Sequence, residues 1–384
     1  MEKIIKLKKL FKTFNLDGYI IPKNNNFFGE YVSDSEDNLK YISNFTGSAG
    51  FAIILKDKNY MFVDGRYTIQ ASIQCGNNFK ICTIPKDYPF SIFKKRKLNL
   101  GFDPKLHTEN SLNRLFDKTF TKLRPINKNF IDILWKRKKN LNINPFYLIE
   151  DIDAGLKVKQ KLTKLVKLIK SNKANYLFTT APENVAWLLN IRGRDTDYSP
   201  LPNSHAIINE NGKVSLFCNL KKINKSFKAK INKDVEIYDF NLLESFFSNL
   251  SNKKILIDTL TCSFFYKSII KKSNLIIEKQ DLIYYLKCLK NKTEIKNSVK
   301  THIYDGAALT KFIFWLKNSF RKKKISEITA QEKLLEFRKK NKSFHDLSFP
   351  TISGTGPNSA IIHYKADKKS NRLLKKGDVY LVDS

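Results

Sequence analysis

The sequence predicts an α/β protein made of two related α/β units followed by the beginning of a third, α+β unit. Three observations carry that expectation. Segments with helical and strand periodicity alternate along the chain as far as Leu289. The stretch Tyr41 to Gly47 returns as Trp187 to Gly193, with Asn and Gly at matching offsets. The length of 384 residues exceeds one ordinary domain of about 100–200 residues, and a composition 42% hydrophobic and 12% aromatic is globular.

The first unit opens with residues 2–14, whose apolar positions Ile4, Ile5, Leu7, Leu10, Phe11 and Phe14 recur at helical spacing. Asp17-Gly18 ends that helix, and Tyr19-Ile20-Ile21 reads as a buried strand stopped by Pro22. Phe51–Leu55 and Tyr60–Val63 form a strand pair across Lys56-Asp57-Lys58-Asn59, and Asp64-Gly65-Arg66-Tyr67 opens another helix. The second unit repeats this order. Val158–Ser171 is a basic amphipathic helix, Ala174–Phe178 a strand, and Pro182–Leu189 a helix with proline in its first turn. Ser204–Ile208 and Lys213–Phe217 are the second strand pair, joined by Asn209-Glu210-Asn211-Gly212. The join between units is expected near Phe130–Leu148, where a basic run and Pro145 separate periodic segments.

The third unit is expected from Lys290. Asn291 followed three residues later by Glu294 has the form of a capping box, and a long helix should run to about Phe320 with Ile295, Val299, Ile303, Ala307 and Trp315 on its apolar face. Ser326 to about Lys340 reads as a second helix. Short strands are then expected at Phe349–Ser353, Ala360–Tyr364 and Asp378–Ser384, the last a hydrophobic, buried-type strand. The expected domains are therefore 1–130, 131–289 and 290–384.

Composition narrows the function classes. Seventy basic against 36 acidic residues give +34, but 60 of the basic residues are Lys, and 37 Asn accompany them. Such usage looks like AT-rich coding bias. The clusters at Lys94–Lys97, Lys136–Lys139 and Arg321–Lys324 lack the interleaved aromatic residues of a single-strand groove, so nucleic acid is not the expected partner. No long uncharged apolar run is present, so no membrane helix is expected. Charges interrupt the apolar residues of Met1–Lys6, which argues against a secretory leader and makes the cytoplasm the expected location. Cys75, Cys82, Cys218, Cys262 and Cys288 are odd in number and without a C-x-x-C, which suits a reducing compartment.

The chain has no P-loop, no G-x-G-x-x-G after a strand, no H-E-x-x-H and no G-x-S-x-G. Of five histidines, His107, His205, His302 and His345 have ordinary surroundings, those of surface or satisfied core residues. His363 differs, because it ends the apolar run Ser359-Ala360-Ile361-Ile362 just after Ser353-Gly354-Thr355-Gly356-Pro357-Asn358. An ionisable ring there can move a proton or hold an oxyanion, and it can equally be structural. Asp383 ends a hydrophobic strand, a common way to hold a divalent metal, although a lone Asp in that place is also an ordinary cap.

Six segments, in order, carry a resemblance. They are Phe45–Gly50, Val63–Tyr67, Val185–Gly193, Lys290–Ile295, Phe349–Gly354 through His363-Tyr364, and Tyr380–Ser384. Together the chain resembles Xaa-Pro aminopeptidases of the three-domain type, in the creatinase–prolidase–methionine aminopeptidase superfamily. The resemblance implies two creatinase-like domains followed by a pita-bread catalytic domain. It also implies two divalent ions, commonly Mn2+, held by two Asp, one His and two Glu, whose bridging hydroxide attacks the bond before a second-position proline. Proline-containing peptides would be the partners, and a homodimer the assembly. Asp383 would be the first metal ligand and His363 the histidine that positions the substrate or assists proton transfer. The sequence departs from that pattern by ending one residue after Asp383, where the remaining ligands would follow. The expectation is therefore a C-terminally truncated, incomplete pita-bread domain, inactive alone. The alternative is a non-catalytic peptide-binding or dimerisation module of the same fold.

Overall fold

The computed structural model describes residues 1–137 and 143–384, so Lys138 and Lys139 of the basic run lie outside the described residues, as does part of the expected join. The chain divides into two units, Met1–Thr196 with Pro200–Leu289, and Asp197–Ser199 with Lys290–Ser384.

The larger unit is built on two six-stranded sheets. In the first, β1 (Gly18–Pro22) pairs antiparallel with β2 (Phe51–Leu55), which forms a hairpin with β3 (Asn59–Asp64). β4 (Lys80–Ile84) lies parallel to β3, while β5 (Asn99–Phe102) and β6 (Lys122–Pro125) continue in parallel from the other side of β1. The order is β4-β3-β2-β1-β5-β6. All five residues of β1 are buried because both faces of the sheet are covered. The period of two sends Tyr19 and Ile21 into one core, with Leu7 and Phe11 of helix α1 (Glu2–Thr13), and Ile20 into the other, with Ile53, Phe62 and Phe102.

The second sheet repeats the plan. Its strands are β7 (Tyr176–Thr179), β8 (Ser204–Asn209), β9 (Val214–Cys218), β10 (Val235–Asp239), β11 (Lys254–Ile257) and β12 (Leu275–Glu278), in the order β10-β9-β8-β7-β11-β12. Each strand holds the place of its counterpart six numbers lower, with the same sense of pairing. Helices α2 (Val158–Ser171) and α3 (Pro182–Leu189) cover one face, through Leu162, Leu165, Ile169, Val185, Leu188 and Leu189. The repeated Asn has a structural reason at both places. Asn44 and Asn190 cap their helices in the left-handed region, at φ +62° and +53°, a conformation asparagine tolerates well.

The repetition reaches into the loops. Asp103 follows β5 and Asp258 follows β11, and each accepts the backbone N–H two residues on, from Lys105 at 2.8 Å and Leu260 at 2.9 Å. Five residues after each Asp comes the N-cap of the next helix, Thr108 and Ser263. Past β6 and β12, Asn129 and Asp281 cap the following helices and bond back to those same aspartates.

The two sheets meet at the carboxyl ends of their parallel strands. Phe264 N–H donates to His107 O at 2.7 Å and Phe265 N–H to Pro104 O at 2.9 Å. Phe264 stands edge-on to Phe102 at 5.3 Å, Phe27 tilts against His205 at 5.1 Å, and Lys267 pairs with Glu109. In open α/β sheets this end is the usual ligand crevice. Here each repeat closes the other's. His107 and His205, expected in ordinary surroundings, both lie buried in this seam.

In the smaller unit, helix α4 (Lys292–Ser319) starts with the expected capping box, in which Asn291 accepts from Glu294 N–H and Glu294 from Asn291 N–H. Its apolar face departs from expectation. Ile295, Val299 and Ile303 are more than half exposed, and the buried positions are Ala308 and Phe312. Phe312 packs with Ile325, Ala330 and Leu334, the last two on helix α5 (Glu327–Lys339). β13 (Ile352–Thr355) and β14 (Tyr380–Asp383) form an antiparallel pair that pairs Ile352 with Asp383 and Thr355 with Tyr380. Among the described residues, no helix is long and apolar enough to cross a membrane.

Candidate functional site

Both residues singled out by sequence lie in the smaller unit, and the structure corrects the setting of each. The run Ala360–Tyr364 is not a strand. Pro357 occupies the first turn of a 3-10 segment (Gly356–Ala360), and the chain then turns through Ile362 and His363. His363 adopts φ +57° and is exposed, while Tyr364 is buried. The apolar residues do not pair as a strand because hydrogen bonds at both ends of the segment pull it into a turn.

Those bonds converge on Glu327, in the first turn of α5. Ser326 caps the helix by accepting from Thr329 N–H, and Glu327 turns inward with no exposure at all. Its carboxylate accepts from Thr355 N–H at 2.8 Å, Asn358 Nδ2 at 3.0 and 3.2 Å, Tyr364 O–H at 2.8 Å and Arg372 N–H at 3.0 Å. Four donor groups satisfy the lone pairs that burial would otherwise leave bare. Burial, together with the Glu327 carboxylate, pushes the Tyr364 phenol up to about 12, so it stays a donor. Gly354 is required nearby, since a Cβ there would stand 2.9 Å from Asn358 O.

Asp383 lies on β14, which is not the buried strand its composition suggests. Tyr380 and Val382 turn inward to the Phe312 cluster, whereas Leu381 is 40% exposed and Asp383 shares that outward face. A two-stranded sheet covered on one side alternates in and out. Ser353 Oγ ties the pair to α5, lying 2.8 Å from Tyr380 Oη and donating to Glu327 O at 2.8 Å. At the other end of α5, Arg338 makes two parallel bonds to Asp305, at 2.6 and 3.0 Å, and donates to Ser384 Oγ at 3.0 Å, beside Asp383.

One helix thus holds both segments, with a carboxylate at its start and a guanidinium near its end. Sequence reading found the helix but not these two residues. A Glu after a Ser cap looks like an ordinary dipole partner, and an Arg in a last turn looks the same. No signal in the sequence separates them from such roles.

A metal centre needs several donors on one cavity. Among the described residues no group of three or more His, Cys, Asp or Glu is placed to hold an ion. The described residues therefore do not by themselves fit a two-metal site, and Asp383 is a single carboxylate facing outward.

Comparison with known proteins agrees with this architecture. Family profiles described as creatinase/prolidase N-terminal domain match residues 3–130 and 137–294, and one described as metallopeptidase family M24 matches residues 298–384. The chain is 31% identical to a probable Xaa-Pro aminopeptidase P of Coprinopsis cinerea, over 98% of this chain and 65% of that protein. It is 32% identical to one of Laccaria bicolor, over 100% and 62% respectively. The fold resembles the crystal structure of X-prolyl aminopeptidase from Caenorhabditis elegans, described as a cytosolic enzyme with a di-nuclear active site. The TM-score is 0.91 at 26% identity, covering all of this chain and 66% of that one. The chain spans a little under two thirds of the length of the curated relatives it matches.

Proposed function

Because this chain belongs to the Xaa-Pro aminopeptidase family of the creatinase/prolidase metallopeptidases, we propose that the protein serves to release the N-terminal residue from peptides with proline in second position. The observation that carries this reading is the likeness to the Caenorhabditis elegans enzyme, which extends over all 384 residues. We assign residues 1–130 and 131–289 as the two creatinase-like domains and 290–384 as the pita-bread part, acting in the cytoplasm as a homodimer.

In this reading His363, displayed on its turn, holds the peptide group of the substrate, and Asp383 would be one ligand among several needed by a pair of divalent ions, Mn2+ by preference. Such ions, if bound, would supply an activated hydroxide and polarise the carbonyl. Because Asp383 stands alone here, the chain of 384 residues is expected to bind peptide without turning it over. The seam between the first two domains supplies rigidity rather than a ligand pocket.

The test uses the purified chain with Mn2+ and a tripeptide carrying proline second. Perturbation of the His363 imidazole resonance on titration is expected, with no release of the first residue. A resonance unmoved at saturating peptide would remove His363 from the substrate. Proline-dependent release would show that Asp383 does not need further donors. The lone position of Asp383 also favours a second reading, a non-catalytic peptide-binding or dimerisation module. That module would bind peptide indifferently to Mn2+, whereas the enzyme reading expects Asp383→Asn to weaken Mn2+ binding.

A further inference from the structure

Glu327 is more buried and more heavily bonded than a helix start requires. Ser326 already caps α5, and an acid that serves the helix dipole does so from the surface. Taking a carboxylate wholly out of water is costly unless every lone pair finds a donor. Its donors, Thr355, Asn358, Tyr364 and Arg372, share one property: they bracket the turn that carries His363. Asn358 and Tyr364 are the two residues flanking the segment Ser359–His363, and both donate to the same oxygen, Oε2. Asn358 Nδ2 also donates to Tyr364 Oη at 2.9 Å, which closes the loop at its base.

We infer that Glu327 is a positioning residue, whose carboxylate ties the base of the 359–363 loop so that Ile362 and His363 are presented to a peptide in one conformation. The inference rests on the role proposed for His363. A left-handed backbone at a non-glycine residue is disfavoured in a free loop, so the φ of +57° at His363 persists where flanking anchors impose it. Preorganising such a loop lowers the ordering cost that a ligand would otherwise meet. Ile362, 58% exposed beside His363, gives the loop an apolar contact suited to a proline ring. Glu327 touches none of the reacting atoms. It acts through Tyr364 and Asn358.

The experiment is carried out on the full chain without peptide, with 13C-labelled histidine. His363 is assigned with His363→Gln, and the exposed His302 and His345 of the same unit are the internal controls. Wild type is expected to give one sharp His363 imidazole resonance, displaced from the two controls. Glu327→Gln puts an N–H group against donors. It is expected to move the His363 resonance to the control position, or split it, with His302 and His345 unmoved. A merely structural Glu327 would lower the melting temperature and leave the His363 signal in place, and that result overturns the inference. Tyr364→Phe removes one donor and keeps the carboxylate. If Glu327→Gln fails to fold, an unmoved His363 in Tyr364→Phe is the overturning result. Since no peptide is present, failure here is distinct from failure of His363 to contact substrate.

Discussion

Replacing His205 with Phe should invert the order of acid stability between variant and wild type. His205 is 2% exposed and is ringed by Phe27, Phe178, Phe240 and Tyr266, with centroids 5.1 to 5.9 Å away. Its Nδ1–H donates to Thr180 O at 3.1 Å. Burial pushes the imidazole down to about 4. Between about 6.5 and 4 the unfolded chain therefore binds a proton that the folded chain refuses, and stability is lost as pH falls through that window. From pH 6.5 to 4.5 the loss amounts to about 2 kcal/mol for this residue. His205→Phe keeps an aromatic ring in the seam but gives up the bond to Thr180, worth about 1 kcal/mol. The variant should be the less stable protein at pH 7 and the more stable one at pH 4.5. Asp103 and Asp281, which burial holds above the ordinary carboxylate value, titrate in the opposite sense, and the difference between the two proteins cancels them. Urea unfolding at half-unit steps from pH 7 to 4.5 measures both curves. Parallel curves would refute a neutral, buried His205.

Three further outcomes follow from the larger unit. His107→Phe should also flatten the acid slope, because burial pushes that ring down to about 3 and its Nε2 finds no partner in the fold; the same titration series reads it. Lys161 is 1% exposed and donates to Trp187 O and Asn190 Oδ1, both at 2.6 Å, so Lys161→Met should cost about 2–5 kcal/mol by stranding two acceptors. The exposed Lys164 on the same helix is the control, and Lys164→Met should stay within about 0.5 kcal/mol in urea melts. At Gly193 a Cβ would meet Leu201 O and Pro202 Cα at 2.7 Å, backbone that cannot step aside, so Gly193→Ala should lose about 1–3 kcal/mol. Gly65→Ala, with nothing within 4 Å, should leave the midpoint unchanged.

What could be read from the sequence was local. The Tyr19–Ile21 strand, the 51–63 hairpin, the 158–171 helix and the Asn291 capping box are each set by residues within a few positions of one another, and each forms as expected. The identical strand order of the two sheets was not legible, because it depends on β5, β6, β11 and β12, four residues each and paired across long intervals. Ala360–Tyr364 carries strand-like composition, yet Asn358 and Tyr364 answer to Glu327, more than 30 residues away. Periodicity has no access to such a partner. Val379–Val382 looks uniformly buried as text, but a sheet of two strands covers only one side, so Val379 and Leu381 end up outside. His107 and His205 could not be told from ordinary core histidines, since the seam exists only once both sheets are folded.

The facing sheets also set a timetable for synthesis. The first sheet has all six strands once Pro125 is made, but the residues that cover its exposed end, Phe264 to Lys267, come about 140 positions later. At about 5–20 residues per second, the growing chain carries the aromatic rim around Phe102 and His107 uncovered for roughly 7–30 s. During that interval the rim is an exposed apolar surface of the kind that takes up non-specific contacts, until the second repeat arrives to cover it.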